Sequence, residues 1–151
     1  VRALTVLQPW ASCIAYFGKR VENRTWRPPE SMLGQRIAIH AGVGLDKSGW
    51  DAFWTNRDLV GPNTCISFAM GLMLASPKAG RGVILATAVI ERITTEGDSP
   101  WFTGPFGWVL REVETLEPDD WVKCRGAQGL WTLPADVESA VLAARKHRGR
   151  A

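Results

Sequence analysis

Lys19, Glu22 and Arg24 follow one another closely behind Gly18 and just ahead of Trp26, in the stretch GKRVENRTW. A planar guanidinium beside a carboxylate and an indole can grip a phosphate, the edge of a base or its face. If residues 21–26 are extended, period-two alternation puts Glu22, Arg24 and Trp26 on one face and Val21, Asn23 and Thr25 on the other. Lys19 then sits at the mouth of the first face. The same spacing suits a surface salt bridge worth about 0–1 kcal/mol, with Trp26 in the core. Spacing alone leaves both readings open.

The Lys-x-x-Glu pair admits a second chemistry. A lysine desolvated against a core can activate water or stabilise an oxyanion, with Glu22 as its acid/base partner. Between Lys19 and Arg24 there is no Ser, Thr or Cys to serve as nucleophile. Cys13 has no His or Lys at helical spacing to activate it, and reads as a small core residue. Cys13, Cys65 and Cys124 form no C-x-x-C pattern, and His40 and His147 stand far apart, so no metal set and no cofactor are expected. The cysteine usage fits a reducing, cytoplasmic setting. No apolar run approaches the roughly 18 residues of a membrane span, and nothing resembles a signal peptide. A start at Val1 fits a chain that has lost an initiator methionine or a longer leader.

The elements that must position these residues can be read in order. Ala3–Leu7 is a short strand with Leu4 and Val6 inward. Gln8-Pro9 opens a helix with proline at its first position, and Trp10, Ile14 and Phe17 give it one buried stripe. Gly18 ends it in a left-handed conformation. Gln35–Ala41 is a strand with Ile37, Ile39 and Ala41 on one face. His40, on the other, is either a satisfied structural histidine or a cleft residue able to hydrogen-bond a ligand. Residues 46–57 and 64–75 read as helices, the first with an acid at its start and with Trp50, Phe53 and Trp54 in a stripe, the second Met-rich. Val83–Ile93 is a nearly continuous apolar run, hence a central strand buried on both faces. Phe106–Leu116 and Gly126–Leu133 are further strands. Pro134 starts a last helix that runs into the basic tail 145–151, expected to be solvated and disordered.

A chain of 151 residues argues for one domain over 1–151, with 43–80 a helical excursion on a β framework. The net charge of +3 permits a nucleic-acid partner without requiring one. Its distribution is polarised: residues 1–40 carry six Lys/Arg against two Glu, while 112–120 carry five acids and no base. Eight tryptophans in so small a chain imply that one or two line a cleft. With no β-α-β regularity and no Gly-rich phosphate loop, the expected fold is α+β: a small, mostly β, partly open barrel with flanking helices.

Taken together, LTVLQPWAS (Leu4–Ser12), KRVENRTW (Lys19–Trp26), IAIHAG (Ile37–Gly42), FGWVL (Phe106–Leu110) and GAQGLW (Gly126–Trp131) are similar to the ASCH (activating-signal-cointegrator homology) family of PUA-like barrels. The family signature is glycine, any residue, lysine, two residues, glutamate, any residue, arginine. Lys19, Glu22 and Arg24 fall in register, while Phe17 replaces the first glycine and Gly18 takes the variable position, which shifts the local turn by a residue. The resemblance implies a cleft between barrel and helix that recognises RNA or a modified nucleoside, with Lys19, Glu22, Arg24, Trp26, His40, Trp10 and Gln128 as ligand-binding candidates. Some relatives resemble hydrolases, either ribonucleases or amidohydrolases of acylated cytidine. In the latter a threonine stands where this chain has Glu22, and a carboxylate cannot replace a threonine alkoxide.

Three functions follow. The first is a module that binds single-stranded RNA or a modified nucleotide through the Lys-x-x-Glu-x-Arg cleft. The second is a hydrolase of the same cleft, with Lys19 and Glu22 catalytic. The third is a protein-interaction module of a transcription or translation complex, using the acidic 112–120 ridge or the Trp50/Trp54 helix.

Overall fold

A computed structural model describes residues 1–49, 51, 80–97 and 99–149. The expected Met-rich helix, most of the helix expected at 46–57, and with them Trp50, Trp54 and Cys65, lie outside these residues.

Among the described residues seven strands form one sheet: β1 (Arg2–Gln8), β2 (Val21–Arg24), β3 (Arg36–Leu45), β4 (Val83–Thr94), β5 (Phe106–Thr115), β6 (Val122–Lys123) and β7 (Leu130–Thr132). Their order is β2-β5-β4-β3-β1-β7, with β6 added beside β4. Among the described residues only β1 and β3 pair in parallel; the other pairs are antiparallel. The apolar run of β4 explains its central place, since residues 83–90 are buried on both faces.

Each face carries a core. On one side Leu4, Val6, Ile37, Ile39, Leu85, Ile90 and Trp108 pack with Ile14 of α1 (Trp10–Tyr16). On the other, Ala3, Ala38, Ile84 and Leu116 lie beneath Val137 and Val141 of α2 (Ala135–Arg148). Each buried valine of α2 contributes about 1.5–3 kcal/mol of the docking. Because the sheet wraps without closing, β1 and β2 come near each other unpaired, and Arg24 Nη2 crosses that seam to the Thr5 carbonyl at 2.7 Å. The result is an α+β, mostly β, partly open barrel with flanking helices.

Three local expectations change. Pro9 caps α1 instead of opening it, and Gln8 Oε1 accepts the Ser12 N–H at 3.0 Å. The strand expected over 126–133 shrinks to β7, while β6 forms just before it and was not foreseen. The basic run 145–148 is not a loose tail. It is the last turn of α2: Arg145 makes a two-pronged contact with Glu114 at 2.6 and 3.0 Å, and Arg148 donates to Thr115 Oγ1 at 2.7 Å. Arginines at a helix C-terminus also complement its dipole. Two of the five acids of the ridge are thereby engaged within the chain, because Arg36 holds Glu112 and Glu114 as well.

Candidate functional site

α1 ends where Phe17 turns inward against Cys13, Val21 and Trp101. Gly18 follows with φ +74°, the left-handed turn expected of it. That reversal carries Lys19 inward. Its side chain is not at a mouth but nearly enclosed, 3% exposed, with Nζ donating to the Val21 carbonyl at 2.5 Å and to Glu22 Oε2 at 3.0 Å. Glu22 is 6% exposed. Burying a carboxylate is tolerable only because the ammonium is buried with it. Arg24 is partly exposed, and its Nε lies 3.8 Å from Glu22 Oε1. That separation is too long for a hydrogen bond, and Arg24 Nε is buried without an acceptor.

These three side chains line a cleft of about 700 Å³ at the seam between β1 and β2. Thr5–Leu7 form one bank, and Trp10, Asp46, Gly49, Pro100, Trp101 and Thr103 complete it. Trp10 and Trp101 meet edge to face, their ring centroids 6.4 Å apart, and Lys19 Nζ lies 5.8 Å from the Trp10 ring.

Both indoles are anchored. Trp10 Nε1 donates to Asp46 Oδ2 at 2.8 Å, and Gly49 gives the ring room, since a Cβ there would come within 2.5 Å of it. Trp101 is held through its backbone. Asn23 Nδ2 donates to the Trp101 carbonyl at 2.9 Å, while Asn23 Oδ1 accepts the Thr103 and Gly104 N–H groups at 2.8 and 3.1 Å. Asp46 stays ionised: hydrogen bonds from the Gly49 N–H, Trp10 and Ser48 hold its carboxyl below the usual range. Among the described lining residues Lys19 and Arg24 face Glu22 and Asp46, so the formal charges cancel.

The structure thus gathers Lys19, Glu22, Arg24 and Trp10, but not Trp26, His40 or Gln128. Trp26 lies past the end of β2, where period-two alternation no longer applies, and packs edge to face on Trp108 at 4.8 Å. His40 is a satisfied structural histidine: Nε2 bonds the Cys124 carbonyl at 2.7 Å and Nδ1 pairs with Thr5 Oγ1 at 3.2 Å. A carbonyl only accepts, so Nε2 carries the proton and Nδ1 accepts from Thr5. Burial pushes the pKa of His40 down. Gln128 is exposed in the turn before β7. Burial also pushes the Cys13 thiol up to about 12, against the partial pull of Lys19, which suits a core residue. Among the described residues no His/Cys/Asp/Glu group could hold a metal, and no helix is long and apolar enough to cross a membrane.

Sequence reasoning missed Asn23, Asp46 and Gly49 as site residues. Asp46 was visible as a helix-starting acid, but its bond to Trp10 joins residues 36 positions apart. Trp101 was signalled only by the surplus of indoles.

The same architecture recurs in a solved structure described as the crystal structure of ASCH from Zymomonas mobilis. The TM-score is 0.51 at 14% identity, over 94% of this chain and 93% of that one. The fold is ASCH-like. In this ASCH-like fold the cleft opens where the barrel fails to close. No family model matches the chain, and no curated protein matches it significantly.

Proposed function

We propose that the cleft receives a nucleobase or nucleoside, presented by single-stranded RNA or as a modified nucleotide. One observation carries the reading: a charged floor and an indole wall share one concavity of about 700 Å³. That size falls within the range of roughly 300–1,000 Å³ usual for small-ligand sites. Arg24 Nη1 makes no hydrogen bond among the described residues and is the donor for a base carbonyl or ring nitrogen. Its buried Nε, lacking an acceptor, costs about 1–3 kcal/mol, recovered if a ligand draws the guanidinium toward Glu22. Glu22 Oε1 is the acceptor for an exocyclic amine. Stacking on Trp10 or Trp101 adds about 1–3 kcal/mol per base. The cancelled charges favour a base over a run of phosphates, and the RNA-binding role implied by the ASCH resemblance agrees.

Calorimetric titration with ribonucleosides, mononucleotides and short RNA and DNA oligonucleotides tests this. Arg24→Ala should weaken binding by about 10- to 100-fold, the loss of one charged hydrogen bond of about 1.5–3 kcal/mol. Binding unchanged in both Arg24→Ala and Trp10→Ala rejects the site.

Hydrolysis is the second reading, favoured by one feature. Glu22 Oε1 lines the cleft free of any hydrogen bond among the described residues, as a base that activates water requires. Lys19 then holds Glu22 instead of acting itself. Incubation with RNA and with acylated cytidine, followed by mass spectrometry, decides. No turnover between about pH 6 and 9 leaves binding alone.

A further inference from the structure

Six of the fifteen described Lys/Arg residues are paired with an acid: Lys19 and Arg24 with Glu22, Arg36 and Arg145 with Glu114, Arg92 with Glu91 and Arg111 with Glu112. Lys47, Arg81, Lys123 and Arg125 are four of the other nine. None has a carboxylate partner among the described residues. The topology also collects them. Lys123 stands opposite Val83 where β6 joins β4, and the Cys124 N–H bonds the Gly82 carbonyl at 3.0 Å, which places Arg81 and Arg125 beside the same junction. Val122 and Cys124 pack toward α2, so alternation turns Lys123 to the opposite face.

That junction continues to the cleft. Arg81 Nη1 donates to the Val43 carbonyl at 3.4 Å, and the Gly80 carbonyl accepts from Gln8 Nε2 at 2.6 Å. Gln8 is next to Leu7, a cleft residue, and its carbonyl accepts the N–H of Asp46, another, which is followed by Lys47. Two apolar side chains of this region are exposed: Leu7, at 47%, lines the cleft, and Val43, at 76%, belongs to the residue whose carbonyl Arg81 holds.

We propose that Arg81, Lys123 and Arg125, with Lys47 at the cleft rim, form a second binding site, for the phosphodiester backbone of a single-stranded nucleic acid. It rests on the cleft reading for the base, and supplies what the cleft lacks. The charges of the described lining residues cancel, so these residues offer no net attraction to phosphate. Unpaired cations beside apolar side chains suit a strand that offers phosphates and base faces in alternation. The ligand is therefore a strand of several nucleotides, and a lone nucleotide occupies only the cleft.

Labelled single-stranded RNA of about ten nucleotides, followed by anisotropy from about 50 to 300 mM salt, tests the site. The triple variant Arg81→Gln, Lys123→Gln and Arg125→Gln should reduce the slope of log K against log salt by about 2, at roughly 0.7 per lost phosphate contact. Arg81→Lys with Arg125→Lys should keep the slope, because charge and not the side-chain type carries the attraction. A parental slope in the triple variant, or a slope lost with the lysine pair, overturns the proposal. So does equal displacement of the RNA by polyglutamate of the same charge. Nucleoside titration separates the two sites: a triple-sensitive slope in a protein that binds no nucleoside sinks the cleft reading alone.

Discussion

Lys19 Nζ and Glu22 Oε2 are 3.0 Å apart at the floor of the cleft, both nearly enclosed. Removing one partner strands the other's charge in a poorly solvated site, which typically costs about 3–5 kcal/mol. Lys19→Met and Glu22→Leu should each lower stability by that order in urea unfolding. The double variant should lose clearly less than the sum. Additive losses would mean that the pair is not coupled. Binding data on Lys19→Ala therefore need a stability measurement beside them, whereas Arg24, partly exposed, reports more directly on the ligand.

Asn23 is the residue through which β2 governs the indole wall. Its carboxamide makes three hydrogen bonds to the backbone at Trp101, Thr103 and Gly104. Asn23→Ala should release residues 101–104, seen as faster amide exchange there, and weaken nucleoside binding several-fold while β3 and β4 stay protected. Asn23→Asp keeps the acceptor and loses the donor, and should fall between. Exchange at 101–104 identical in Asn23→Ala and the parent would contradict the clamp.

How much of this was legible beforehand follows from the range of each interaction. The strands announced themselves through local alternation, and β4 through its unbroken apolar run, so the α+β barrel could be read from the chain. Lys19, Glu22 and Arg24 were legible because one short segment carries all three. Trp26 was not, because the strand ends at Arg24 and the face it defines ends with it. Period-two alternation puts Asn23 on the opposite face, and the return of residues 101–104 is what gives its side chain something to hold. The basic run at 145–148 looked solvated because its partners, Glu114 and Thr115, come from β5, some thirty residues earlier.

Gly126 faces a gap already filled by the His40–Thr5 pair. A Cβ there would lie 2.6 Å from His40 Cε1 and 2.8 Å from both His40 Nδ1 and Thr5 Oγ1. Overpacking of this kind typically costs about 1–3 kcal/mol, so Gly126→Ala should lower the unfolding midpoint measurably. His40→Ala alone also destabilises, but adding it to Gly126→Ala should recover part of the glycine penalty by vacating the space. Full additivity would show that the clash is relieved elsewhere.

His40 also sets an acid limit. Its pKa is lowered by burial, with the Cys124 carbonyl pulling the other way. The neutral ring already satisfies Cys124 through Nε2–H and Thr5 through Nδ1, whose hydroxyl in turn accepts Trp131 Nε1 at 3.1 Å. A second ring proton would set Nδ1–H against a hydroxyl that already receives a donor. In the unfolded chain His40 titrates near its ordinary value of about 6.5, so below that pH the unfolded state binds more protons than the folded one. The stabilisation is therefore complete above about pH 6.5 and is lost as pH falls through the lowered folded value. Urea midpoints measured downward from neutrality should decline over that window in the parent and in His147→Gln, whose imidazole is exposed. In His40→Gln the decline should flatten. A parental slope persisting in His40→Gln would assign the acid sensitivity to other groups.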